Sequence, residues 1–123
     1  MIIHTDKAPA AVGPYSQAVR AGNMLFTSGQ LGMIPETGEM ADGVRAQAEQ
    51  ALKILGAILE EAGFEKTDVV KTTVFIRDMN DFAEVNRIYS AFFGDHKPAR
   101  SCVQVSRLPK DGLVEVEAVA VRE

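Results

Sequence analysis

Three side chains in the last quarter of the sequence have types and spacing suited to chemistry on a small anion: Arg100, Cys102 and Glu115. The stretch Pro98–Val121 consists of two alternating segments around Leu108-Pro109-Lys110-Asp111-Gly112. Alternation predicts a strand with Arg100, Cys102 and Gln104 on one face and Ser101, Val103 and Val105 on the other. In the second segment Val114, Val116, Ala118 and Ala120 share a face, opposite Glu115 and Glu117. A guanidinium or carboxylate on a core-like strand is costly to desolvate without a partner. Arginine can grip a carboxylate with two parallel hydrogen bonds, and a glutamate can move protons.

Spacing alone leaves each assignment open. Arg100 suits a structural ion pair with Glu115 or Glu117 as well as an anchor for a ligand. Nothing in the alternation separates Glu115 from Glu117. Cys102 has no base near it in sequence, since His4 and His96 are distant. A lone cysteine in an alternating strand is more often a small buried hydrophobe than a nucleophile. No Cys/His cluster has metal-ligand spacing, and Gly29-Gln30-Leu31-Gly32 is too short for a dinucleotide fingerprint.

These residues need a scaffold, and the periodicities supply one. Residues 15–20 and 24–28 are short alternating runs joined by Ala21-Gly22-Asn23, a hairpin signal. Residues 31–43, with Pro35, Gly38 and Gly43, predict a loop. Apolar residues at 44, 48, 51, 52, 55, 58, 59 and 62 predict a helix with one buried stripe, starting at Asp42 and stopped by Gly63. Residues 69–76 are β-branched and apolar, which predicts a strand buried on nearly both faces. A second helix is predicted over 81–93, ended by Gly94, with Asp81 and Glu84 as a capping box. Two single-stripe helices cover one face of a sheet. The other face keeps apolar residues with no helix to cover them, so self-association is expected.

The 123 residues hold 46% apolar side chains, one cysteine and a net charge of −4. That length suits one domain with an adequate core. The single cysteine fits a reducing compartment. The acidic balance disfavours bulk-charge binding to nucleic acid or anionic membranes. No apolar run is long enough to span a bilayer, and the first residues show no signal-peptide pattern.

Several further motifs occur in a fixed order: Ala8-Pro9-Ala10, Gly13-Pro14-Tyr15-Ser16-Gln17, Phe26-Thr27-Ser28-Gly29-Gln30, Val70–Ile76, then Phe82 with Val85-Asn86. Together with the terminal Arg-Ser-Cys, Leu-Pro and Val-Glu-Val-Glu pattern, they make the whole chain resemble the RidA family, the reactive-intermediate (enamine/imine) deaminases. The resemblance implies one RidA-like domain over 1–123 with a chorismate-mutase-like α+β fold. That fold is a single mixed six-stranded sheet with two helices on one face, assembled as a homotrimer with clefts between subunits.

The resemblance also implies roles. Arg100 holds the substrate carboxylate, aided by the main-chain N–H of Cys102. Glu115, and not Glu117, orients or activates water. Tyr15 lines the cleft from a neighbouring subunit, and Ser28, Gly29 and Asn86 complete it. The implied reaction is hydrolysis of 2-iminobutanoate and 2-iminopropanoate, released by pyridoxal-phosphate dehydratases, to 2-keto acids and ammonia. It calls for no metal or organic cofactor and places the chain in the cytoplasm. Two other readings belong to different classes: a regulatory protein that binds a small ligand in the same cleft, and an endoribonuclease or translation inhibitor. The acidic balance and the lack of a basic-aromatic stripe disfavour the last.

Overall fold

The computed structural model describes residues Met1–Glu123. Seven strands and two helices follow one another as β1 (Ile2–Ile3), β2 (Ala18–Ala21), β3 (Met24–Thr27), β4 (Gln30–Leu31), α1 (Gly43–Glu61), β5 (Val69–Ile76), α2 (Phe82–Phe93), β6 (Ala99–Gln104) and β7 (Val114–Val121). Six strands form one sheet in the order β1-β2-β3-β7-β5-β6. All neighbours are antiparallel except β5 and β6, which are parallel. A parallel pair needs a crossover, and α2 supplies it.

The seventh strand, β4, adds no new position to the six-stranded path. β3 pairs with β7 at residues 119–121, and β4 pairs with it at Val116 and Glu115. The two therefore lie in line along one edge of β7, interrupted at Ser28-Gly29. At the gap the Ala118 N–H donates to the Thr27 hydroxyl at 3.0 Å, which replaces a missing main-chain acceptor.

The helix stripes pack on one sheet face. Ile54, Leu55 and Ile58 of α1 meet Leu25, Val69, Ile76 and Val114 in the fully buried centre. The stop at Gly63 is a Schellman turn: φ is +83°, and the Phe64 N–H reaches back to the Leu59 carbonyl at 2.8 Å. Asp42 and Asp81 sit at the N-caps, but neither side chain caps its helix. The Asp81–Glu84 capping box does not form, because Glu84 pairs with Arg87 one turn on, at 2.9 Å.

Strand β5 is buried on one face only. Val69, Thr72, Val74 and Ile76 point into the core, while Val70 at the bulge is 47% exposed. The expectation of a doubly buried strand fails because both helices lie on the same side. The uncovered face carries the direct cross-strand row Ile2, Val19, Phe26 and Val119. Ile2, Val19, Phe26 and, further along, Val103 are all exposed. Fully burying one such side chain is worth roughly 1.5–3 kcal/mol, so this face favours a partner.

Candidate functional site

Arg100 lies on β6, the edge strand, and its side chain turns to the helix face. There α2 presents Phe82, Asn86 and Tyr89 at offsets of four and three residues, which fall on one helical face. The guanidinium donates from Nη1 to Asn86 Oδ1 at 2.7 Å. Its carbon lies 4.8 Å from the Tyr89 ring centroid and 5.7 Å from that of Phe82, within cation–π range. It forms no ion pair with Glu115 or Glu117, so the structural-pair alternative is not realised. A polar cleft of about 360 Å³ opens beside it, lined also by Ser90, His96 and Lys97.

Cys102 shares the helix face and packs half-buried against the core cluster. Burial pushes its thiol up from the ordinary value, and the nearby Arg100 charge offsets this only in part. A thiol held protonated is a poor nucleophile. No three His, Cys, Asp or Glu side chains gather as a metal site would require.

Glu115 occupies the opposite sheet face. Its cross-strand neighbours there are Phe75 on β5 and Leu31 on β4. Burial between them, and then the charge of Glu117, push its carboxyl above the usual carboxylate range. It lines a cavity of about 630 Å³ with Tyr15, Ser28, Gly29, Leu31 and Met33. The gap between β3 and β4 opens this space, and Gly29 lets the carboxylate lie against bare backbone.

Ser28 contributes differently from a free hydroxyl. Its Oγ donates to the Ser16 carbonyl and its N–H to the Gln17 carbonyl, at 2.9 Å for the latter. It thus ties down the segment that carries Tyr15. Gln17, only 2% exposed, completes the tie: its Oε1 accepts from Thr5 N–H at 2.8 Å, and its Nε2 donates to the Pro9 carbonyl at 2.9 Å. Alternation reads Gln17 as one more strand residue and gives no sign of this clamp. Likewise helical spacing reads Phe82 and Tyr89 only as part of an apolar stripe.

The candidate residues therefore fall into two groups. Arg100, Asn86 and Cys102 stand at the sheet edge on the helix side. Tyr15, Ser28, Gly29 and Glu115 stand on the open face. Thr72 of β5 pairs with Arg100 on one side and Ala118 on the other, while Glu115 pairs with Phe75, so the register puts Arg100 and Glu115 on opposite faces of the sheet.

A mixed sheet with two helices on one face makes this an α+β protein, with an arginine cradled at the sheet edge and a half-buried glutamate behind a strand break. The sequence model of the family described as Endoribonuclease L-PSP matches residues 5–122. The chain belongs to that family, also known as the RidA family. It is 57% identical over 123 residues to the 2-iminobutanoate/2-iminopropanoate deaminase of Escherichia coli K12, covering 98% of this chain and 96% of that protein. A putative endoribonuclease from Thermotoga maritima superimposes with a TM-score of 0.98 at 53% identity, over 100% of this chain and 98% of that one. Escherichia coli TdcF with bound serine gives 0.96 at 51% identity, over 100% and 99%.

Proposed function

We propose that this chain hydrolyses short 2-imino acids to 2-keto acids and ammonia. The observation that carries the reading is the cradled Arg100 with unspent donors, set beside a polar cleft. A planar guanidinium fixed in orientation selects a carboxylate. The deaminase relative acts on two 2-imino acids, and the serine-bound relative holds a ligand that also carries a carboxylate.

Arg100 and Glu115 face apart within a chain, so the working site combines Arg100, Asn86 and Cys102 of one subunit with Tyr15, Ser28, Gly29 and Glu115 of another. The apolar open face between them supplies the contact, and we read the assembly as a homotrimer. The substrate carboxylate sits on Arg100 and the main-chain N–H of Cys102, which fixes C2 in the cleft. Glu115 takes a proton from water as the oxygen attacks C2 and the C=N π pair moves to nitrogen. That proton passes to the nitrogen and completes a carbinolamine. Glu115 then takes the proton of the new hydroxyl and returns it to the amine, the C–N bond breaks, and ammonia leaves as the hydroxyl oxygen becomes the carbonyl. Burial raises the Glu115 carboxyl above the usual carboxylate range, which suits a group that both accepts and returns a proton. Water and the chain's own residues supply every step. The substrates arise beside cytoplasmic dehydratases, and we place the chain there.

The test is a coupled assay. A threonine dehydratase generates 2-iminobutanoate in the presence of semicarbazide, which traps the imine. Keto-acid formation should accelerate when this protein is added. An unchanged rate, with tight binding of 2-oxobutanoate, would favour a ligand-binding role without turnover.

A further inference from the structure

The arginine cradle contains a closed loop of contacts that its individual bonds do not suggest. In the parallel ladder Arg100 stands opposite Thr72 of β5. Thr72 is fully buried, and its hydroxyl shares a 2.7 Å hydrogen bond with the hydroxyl of Tyr89. Tyr89, 8% exposed, returns to the start by placing its ring under the Arg100 guanidinium, 4.8 Å from centroid to carbon. The same ring packs on Phe93, tilted by 52° with centroids 4.8 Å apart. The residue beside Arg100 in the sheet thus pins the ring on which the arginine head rests.

This arrangement answers a specific difficulty. An arginine on an edge strand has no further strand beside it, and its long side chain has several rotamers to lose when it binds. Asn86 holds one nitrogen and fixes rotation about the guanidinium axis. It does not fix the height of the plane above α2. A ring that cannot tilt does, because the cation–π contact sets the distance from the guanidinium to the ring. The Thr72 hydroxyl is what stops the tilt: it lies at the far end of the ring, where leverage is greatest.

We propose that Tyr89, locked by Thr72, is a positioning residue that holds the Arg100 guanidinium ready for the substrate carboxylate. The inference rests on Arg100 as the carboxylate anchor and deepens that reading. Preorganising the anchor lowers the ordering cost of binding, so losing the ring weakens carboxylate binding without removing the charge.

The probe is 2-oxobutanoate, followed by calorimetry, together with turnover of dehydratase-generated 2-iminobutanoate. Tyr89→Leu should weaken binding and lower kcat/KM by about tenfold. Tyr89→Phe, which keeps the ring and loses the lock, should fall between Leu and the parent, as should Thr72→Val. In an Arg100→Ala background, Tyr89→Leu should change nothing further, because the ring acts only through the arginine. A structural role would lower both backgrounds alike, and that outcome overturns the proposal. If Tyr89→Leu does not fold, Tyr89→Phe and Thr72→Val decide, and parental binding by both rejects the lock. Arg100→Ala that binds the keto acid as tightly as the parent would remove the anchor, and the cradle's purpose with it. Arg100→Ala that binds far more weakly than the parent while Tyr89 variants bind normally would overturn the cradle alone.

Discussion

Gly29 and Glu115 are fitted to each other: a Cβ built on Gly29 would lie 2.7 Å from the Glu115 carboxyl carbon and 3.0 Å from its Oε1. The obstructing atoms are the end of a flexible side chain, so an added methyl displaces the carboxylate and leaves the backbone in place. Gly29→Ala should therefore keep its melting temperature within a few degrees and lose at least tenfold in kcat/KM, since small misplacement of an acid–base group is costly. Full activity in that variant would show that the carboxylate position at rest is not the working one.

Arg100→Lys keeps the charge and loses the planar fork. A compact ammonium can neither stack across Tyr89 and Phe82 nor meet a carboxylate with two parallel donors. The loss should be about 2–4 kcal/mol of transition-state stabilisation, roughly 30- to 1,000-fold in kcat/KM. Steady-state kinetics on the generated imine measures it, and near-parental turnover removes Arg100 as the anchor.

Glu115→Gln should bind 2-oxobutanoate and fail to turn over imine, because an amide accepts no proton at neutral pH. Activity of the parent should fall on acidification as the carboxylate protonates, with the acid limb above the usual carboxylate range. Glu117→Gln removes a neighbouring negative charge, so it should move that limb to lower pH with little change in the plateau. The folded state holds the Glu115 proton more tightly than the unfolded chain does. Its contribution therefore favours folding at low pH and is lost as pH rises through the folded pKa. Glu115→Gln should accordingly melt at or above the parent temperature at pH 7. Two glutamate variants with identical profiles would defeat the choice between them.

Cys102→Ser should stay substantially active. The role proposed for this residue belongs to its main-chain N–H, which serine also supplies. Burial keeps the thiol protonated, against a nucleophilic role. The hydroxyl costs about 1 kcal/mol of stability if it finds no partner. A loss of several orders of magnitude in a folded, assembled variant would make Cys102 the nucleophile.

Light scattering should give a mass of three chains at micromolar concentration. Phe26→Asp places a charge in the exposed apolar row of the open face, and it should dissociate the assembly and abolish turnover together. A folded, active monomer would separate the site from the interface and refute the inter-subunit reading.

Local pattern decided the elements of this chain. The β-branched run Val69–Ile76 became β5 over the residues expected, because side-chain type and period are properties of the segment itself. The α1 stripe and its glycine stop did the same. Alternation also placed Arg100 with Cys102, and Glu115 with Glu117, on common faces of their own strands. It could not relate one strand's faces to another's. That depends on register through β5, where Arg100 meets Thr72 and Ala118 meets it from the other side. The register puts Arg100 on the face of the buried valines and alanines and Glu115 on the other, so the candidate residues fall into two groups on opposite faces of the sheet. The same limit hid the Gln17 clamp, the Thr72–Tyr89–Arg100 loop and the break between β3 and β4. Each joins residues distant in sequence or depends on a pairing partner, and period within a segment carries no information about such contacts.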